Sequence, residues 1–294
     1  MSRENPKPST RVIYICSDTR SGSTLLDQML GSHPEITSVG EICNINAYAT
    51  LDRSQYDPAH ELCCSCGGDL AGRASHKQCP FWSRLRERVG PLSNVQLNLR
   101  RSHPFLLAAV MRYPRLYPLL SSYGRKSFVV FDAIGGTVVD SSKGAFRFLA
   151  LYAARPKAVK AIMLTRDYRA VVHSKMKRGR SLEQSARHWR DASRHMLTVE
   201  RLVPASQRTR VRYEDLCTNT EEVMRDLCAF IGVGFDPAVL RRSPDTHHLG
   251  GSPSKFENRP IRLDDRYLTA FTDAEKELMA RIVGRHASEW RYDG

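Results

Sequence analysis

The chain has 294 residues with 45 lysine plus arginine against 31 aspartate plus glutamate, a formal net charge of +14, so its field attracts anionic ligands. The basic residues are spread along the chain and match no nucleic-acid-binding module, so no nucleic-acid partner is expected. No run of eighteen apolar residues and no secretory leader pattern is present, which leaves no membrane span and makes the cytoplasm the default location.

Residues 1–10 contain two prolines and no apolar periodicity and read as a mobile tail. Residues 11–294 then fit one domain with a Cys-rich insertion around 60–82, since a single α/β domain often reaches this size. The first element is the most informative. Val12 to Ile15 form a β-branched strand, and Leu25, Leu26, Met29 and Leu30 recur at helical spacing,. Between them lies Ser17-Asp18-Thr19-Arg20-Ser21-Gly22-Ser23-Thr24. Small residues allow close backbone approach, and the first amides of the following helix, with its dipole, favour an anion such as phosphate or sulfate. The loop half-matches G-x-x-x-x-G-K-[ST]: Gly22 and Thr24 fit, but Ser17 replaces the first glycine and Ser23 the lysine, so Arg20 supplies the cation instead.

Further along, four of the eight cysteines crowd into CCSCGGDLAGRASHKQC, which holds Cys63, Cys64, Cys66, Cys79 and His76. A C-x-C with one distant cysteine falls short of the usual zinc spacing. No metal is therefore assigned; Cys64, Cys66 and Cys79 are the weak candidates, with zinc, a disulfide and free thiols all open. Residues 105–120, FLLAAVMRYPRLYPLL, read as a kinked core helix, or as a broken helix lining a ligand pocket or touching a membrane surface,.

Strand-like runs at 128–132, 159–164 and 209–213 alternate with amphipathic helical patterns, predicting βαβ units, a P-loop-like parallel sheet and helices on both faces. Ligands on such sheets bind beyond the carboxyl ends of the strands. Arg20, Lys143, Arg166 and Tyr213 all fall there. Ser181 to Gln184 and Thr218 to Glu221 have capping-box spacing, and Val223, Leu227, Phe230 and Ile231 form an apolar stripe,.

Residues 11–41, with Arg20-Ser21-Gly22-Ser23-Thr24-Leu25, then His33-Pro34 and Gly40-Glu41, resemble the 5′-phosphosulfate segment of sulfotransferases that use 3′-phosphoadenosine 5′-phosphosulfate (PAPS). The likeness is to bacterial, tyrosylprotein and carbohydrate sulfotransferases. TRDYRAVVHS, with Arg166 and Ser174, is similar to that family's 3′-phosphate motif, and VVDSSK, residues 138–143, to its D-S-S-K strand end carrying Lys143. VRYEDL resembles the strand end whose tyrosine, here Tyr213, meets adenine. HHLGGSPSKFENRPI, residues 247–261, resembles the loop that closes over the nucleotide through Ser254 and Lys255, departing from the pattern at Ser252. Related sulfotransferases also carry a C-x-C-G and a later C-P-F-W, matched by Cys79 to Trp82.

The resemblance implies the sulfotransferase fold and metal-free, in-line sulfuryl transfer from PAPS, leaving 3′-phosphoadenosine 5′-phosphate (PAP). Arg20, Ser21, Gly22, Ser23, Thr24, Leu25, Arg166, Ser174, Tyr213, Ser254 and Lys255 would bind the donor. Arg20 and Lys143 would stabilise charge, and Glu41 would act as base on a small-molecule, glycan, lipid or peptide acceptor, since a partly desolvated carboxylate can serve that role. A P-loop-type small-molecule kinase and a non-catalytic polyanion or nucleic-acid binder are the alternatives. The acceptor and the oligomeric state are not legible.

Overall fold

The structure, a computed structural model, describes residues 10–44, 64–66, 79–90, 117–242, 246–256 and 260–292. Residues 1–9 of the expected tail, most of the Cys-rich stretch including Cys63 and His76, and residues 105–116 of the apolar piece lie outside the described residues.

Five parallel strands form a sheet ordered β2-β3-β1-β4-β5, where β1 is Arg11–Ser17, β2 Ile36–Ser38, β3 Thr137–Lys143, β4 Val159–Thr165 and β5 Arg208–Arg212. Ile36 pairs with Thr137 and Ser38 with Val139; Ala161 pairs with Arg208 and Thr165 with Arg212. The strands are flanked by helices, which is why β1, β3 and β4 are buried almost end to end, with no alternation of polar and apolar faces,.

The chain divides into two compact units. The first comprises 1–14, 24–160 and 236–258. It holds α1 (Ser23–Gly31) from Thr24 onward, α2 (Pro80–Val89), α3 (Tyr117–Ile134) and α4 (Ala145–Ala154). Its core includes Leu26, Met29, Phe128, Phe131, Val138 and Phe148. Helices α3 and α4 pack tightly because residue 124 is glycine: a Cβ there would run into the Ala150 carbonyl.

The second unit comprises 15–23, 161–235 and 259–294. It holds α5 (Tyr168–Met176), α6 (Leu182–Leu202), α7 (Tyr213–Thr218), α8 (Thr220–Ile231), α9 (Asp273–Val283) and the short α10 (His286–Glu289). Val171, Trp189, Val199, Leu227, Met279 and Trp290 are buried there. The Ser181 side chain accepts from the Gln184 amide at 3.2 Å and caps α6 as expected.

Three local expectations are corrected. The run 128–132 is not a strand but the last part of α3; the buried Leu120, Gly124, Phe128 and Phe131 lie on one helical face, while Val129 is 51% exposed. Helical spacing over the whole segment outweighs the local β-branched preference. The N-cap of α8 is Asn219, not Thr218, whose hydroxyl donates to Glu214 O inside α7. The buried face of α8 is Met224, Leu227, Cys228 and Ile231, rotated from the expected stripe, with Val223 and Phe230 half-buried. Among the described residues no helix is long and apolar enough to cross a membrane.

Candidate functional site

In the second unit the loop after β1 is anchored by Asp18. Its carboxylate accepts from the Thr19 amide at 2.6 Å and from Lys175 Nζ at 2.5 Å, and lies 2.8 Å from His188 Nδ1. Burial works to raise the Asp18 pKa, but His188 and Lys175 outweigh it and hold the carboxyl below its ordinary range. Burial likewise pushes Lys175 down. From this anchor the chain turns through Arg20 at φ 72° and Gly22 at φ 91°. Left-handed backbone is costly for arginine, of order 1–3 kcal/mol, and such strain concentrates at functional sites.

That turn sends Arg20 Nε to Ser174 Oγ at 2.9 Å. The Arg166 guanidinium donates to the Arg20 carbonyl at 3.4 Å and stacks 4.4 Å from the centre of the Tyr213 ring,. A Cβ on Gly22 would overlap the same ring, so only glycine lets the loop lie against Tyr213,. Trp189 Nε1 fixes the Arg166 carbonyl at 2.9 Å. Among the described residues the buried Ser17 Oγ, Ser21 Oγ and Arg166 Nε have no hydrogen-bond partner. Two hydroxyls and a guanidinium edge with spare capacity, beside glycine backbone, suit an anion.

In the first unit the VVDSSK end of β3 is built letter by letter. Asp140, fully buried, accepts from Arg147 Nη2 at 2.9 Å and from the Ser142 amide at 2.9 Å. Ser142 Oγ in turn accepts from the Cys43 amide at 3.1 Å, and the Ser141 amide donates to Gly40 O at 2.9 Å. Tyr14 Oη holds the Gly144 carbonyl at 2.9 Å. Lys143, between these restraints, sits at φ 71° and donates to Glu41 Oε1 in a close ion pair. Glu41 is 5% exposed.

The segment 246–256 returns to this pair. The Glu41 amide donates to Leu249 O at 2.6 Å, the Leu249 amide to Val39 O at 3.3 Å and the Ser252 amide to Thr24 Oγ1 at 3.0 Å. Beneath it Asp27, on α1, accepts from Ser38 Oγ at 2.5 Å and pairs closely with His248 Nδ1. A Cβ on Gly251 would crowd both His248 Nε2 and Thr24 Oγ1.

The sulfotransferase family model matches residues 13–237, well over half of the chain. The chain belongs to the sulfotransferase family. No curated protein matches it. Among solved structures, the sulfotransferase domain of the Synechococcus PCC 7002 olefin synthase matches with a TM-score of 0.58 at 20% identity, covering 100% of this chain and 98% of that one. The sulfotransferase domain from the curacin biosynthetic pathway gives 0.56 at 18%, covering 97% and 99%. The sulfotransferase STF1 of Mycobacterium tuberculosis H37Rv gives 0.51 at 16%, covering 94% and 76%. At these identities the likeness is one of fold.

For this sulfotransferase-family chain, the residues singled out in sequence fall into two groups. Arg20, Gly22, Arg166, Ser174 and Tyr213 touch one another in the second unit, joined by the buried Ser21. Glu41 pairs with Lys143 in the first. Ser23, Thr24 and Leu25 form the buried first turn of α1. Ser254 is half-buried, and its carbonyl accepts from Arg242 at 3.1 Å. Lys255 is 1% exposed, with Nζ on Gly250 O at 2.7 Å, so its charge braces the loop from inside.

Sequence reading missed Asp18, Lys175 and His188 behind Arg20, and Asp140 with Arg147 behind Lys143. An acidic residue directly after two β-branched apolar residues, as in Val138-Val139-Asp140, was the available signal for Asp140. It also missed His247, whose Nδ1 lies 3.4 Å from Cys79 Sγ and 4.0 Å from Cys64 Sγ.

Proposed function

We propose that the chain transfers a sulfuryl group from PAPS to an acceptor hydroxyl or amine. The observation that carries this reading is the convergence of Arg20, Gly22, Arg166, Ser174 and Tyr213, drawn from three distant segments, into one cationic and aromatic cluster. Bound there, PAPS supplies an activated sulfuryl group whose leaving group is a phosphate. The chain's own task is positioning and electrostatic stabilisation.

The Ser17 and Ser21 hydroxyls and the first amides of α1 would hold the phosphosulfate, and Arg20 would face charge both in the bound donor and as it builds on the leaving phosphate. Ser174 accepts from Arg20 Nε, which leaves its hydroxyl proton to donate to the 3′-phosphate beside Arg166. Tyr213, backed by Arg166 and flush with Gly22, would offer its ring to the adenine. Lys143 would stabilise the leaving oxygen, and Glu41 would take the acceptor proton. Ser254 and Lys255 would keep the 246–256 segment closed.

Differential thermal unfolding tests the donor class. PAP without magnesium is expected to stabilise the chain, by about 2.7 kcal/mol at a hundred times its dissociation constant. Neither ATP with magnesium, which would stabilise a kinase, nor an oligonucleotide with steep salt dependence, which would stabilise a polyanion binder, should match it. The mass of a sulfated product from an acceptor screen with labelled PAPS then names the acceptor. No stabilisation by PAP would sink the reading.

A further inference from the structure

We infer that Cys64, Cys66, Cys79 and His247 form a structural zinc site that pins the returning 246–256 segment to the Cys64–Cys66 turn and the start of α2 within the first unit. The four donor atoms lie within 4.8 Å of one another. The sulfur separations are 3.1 Å for Cys64 to Cys66, 3.2 Å for Cys66 to Cys79 and 3.7 Å for Cys64 to Cys79. Zinc bonds of about 2.3 Å to sulfur and 2.0–2.1 Å to nitrogen, arranged tetrahedrally, put sulfurs about 3.8 Å apart and sulfur about 3.6 Å from nitrogen. The His247 Nδ1 distances of 3.4 and 4.0 Å to two of the sulfurs bracket the second value. A disulfide needs about 2.05 Å and would choose one pair; here three sulfurs are mutual neighbours.

The surroundings are built for this cluster. Cys64 and Cys79 are fully buried, and Cys66 and His247 half-buried. Cys79 is the N-cap residue of α2, where the helix dipole favours a thiolate,. The imidazole of His247 is held by the Phe81 ring, stacked at 4.3 Å and 6°, and its carbonyl accepts from Trp82 Nε1 at 3.2 Å. Ser65, between two of the cysteines, donates its amide to His248 O at 3.1 Å, accepts from the His248 amide at 3.1 Å and donates its hydroxyl to Thr246 O. The Cys-x-Cys turn is thereby laced to both neighbours of His247.

Three thiolates and one imidazole are soft donors that select zinc over magnesium or calcium. With four protein ligands the site is closed, so the metal has a structural role. Its mechanical consequence follows from the chain path. Two residues after His247, Leu249 clamps the Glu41 amide and Val39, so a zinc cross-link would fix the backbone of Glu41 whatever donor the protein uses.

Zinc content of the full chain, purified reduced from zinc-supplemented medium without chelator, tests the assignment. One zinc per chain is expected, and its removal by a strong chelator should lower the unfolding temperature. Cobalt added to the metal-free chain should give the intense visible bands of a tetrahedral site together with thiolate-to-cobalt charge transfer. His247→Ala should lose or strongly weaken the metal, and His247→Cys should keep it with a cobalt spectrum shifted towards four sulfurs. A metal-free wild-type chain that gives no tetrahedral cobalt spectrum would overturn the inference even if every variant misfolds. An intact mass showing a disulfide within the cluster, or full zinc and an unchanged cobalt spectrum in folded His247→Ala, would overturn it as well.

Discussion

The Arg20 cluster and the Glu41 cluster are held by different means. Around Arg20, side chains hold side chains: guanidinium to serine, guanidinium to tyrosine ring, and lysine and histidine to a buried aspartate. Around Glu41 the 246–256 segment does much of the holding through backbone amides and carbonyls, at Leu249 and Ser252, with Gln28 adding a 2.7 Å bond to the Lys255 carbonyl. The first arrangement demands particular residue types at particular positions. The second also uses chosen side chains such as Thr24, Gln28 and Asp27, but at Leu249 it asks only that the backbone pass.

The largest expected effect tests whether this difference is one of role. If the Arg20 cluster binds the donor and Glu41 serves the chemistry, Glu41→Gln should cut turnover by roughly 10²- to 10⁴-fold and leave PAP affinity nearly unchanged. Turnover at saturating PAPS, with PAP binding by calorimetry, makes the check. Near-normal turnover in a folded variant would end the base assignment.

The second effect is on folding. Lys175 and Asp18 are 3% and 2% exposed in their side chains, and removing one partner of such a pair costs about 3–5 kcal/mol because the other charge is stranded. Asp18→Ala should lose that much in urea unfolding at neutral pH. Because the folded pKa of Asp18 lies below its unfolded value, its contribution is complete above the unfolded value of about 3.9. It is lost as pH falls from there through the folded value. The wild-type chain should therefore weaken on that acid limb, and Asp18→Asn should flatten it.

The same contrast explains what could be read from sequence. Strands β1, β4 and β5 were visible as β-branched runs, and Arg20, Arg166 and Tyr213 stood out because each follows such a run at the edge where parallel sheets bind ligands. Strand β2 has only three residues, Ile36–Ser38, too few to show a pattern. Phe128 to Asp132 carries strand-like composition, yet its buried neighbours Leu120 and Gly124, eight and four residues before Phe128, complete a helical face. His247 lies 168 residues after Cys79, and nothing local to either ties them. Backbone bonds such as Glu41 N to Leu249 O leave no trace in residue identity at all.

A third effect probes the binding half alone. Arg166 makes a hydrogen bond and a ring contact within its cluster and has spare donor capacity at Nε. Arg166→Ala should weaken PAP binding by roughly tenfold to a hundredfold, the worth of a charge-assisted contact of about 1.5–3 kcal/mol. Acceptor KM should barely move. Unchanged PAP affinity by calorimetry would remove Arg166 from the donor site.

The smallest effect concerns what the two clusters share. Arg20 and Lys143 both sit in left-handed backbone, at φ 72° and 71°, and among the described residues only Arg291 joins them as a non-glycine of positive φ. The conformation costs an L-residue about 1–2 kcal/mol, whereas glycine adopts it freely. Glycine also gains more freedom in the unfolded chain, which takes back about 0.4–1 kcal/mol. The backbone term is the larger of the two. Arg20→Gly should therefore be more stable than Arg20→Ala, and Lys143→Gly than Lys143→Ala, by a net of about 0.5–1 kcal/mol. The side chain is absent from both members of each pair, so the comparison isolates the strain, and all four variants should have lost turnover. Chemical unfolding of the pairs makes the measurement. Alanine variants as stable as their glycine partners would mean that the turns carry no strain worth trading for two well-aimed cations.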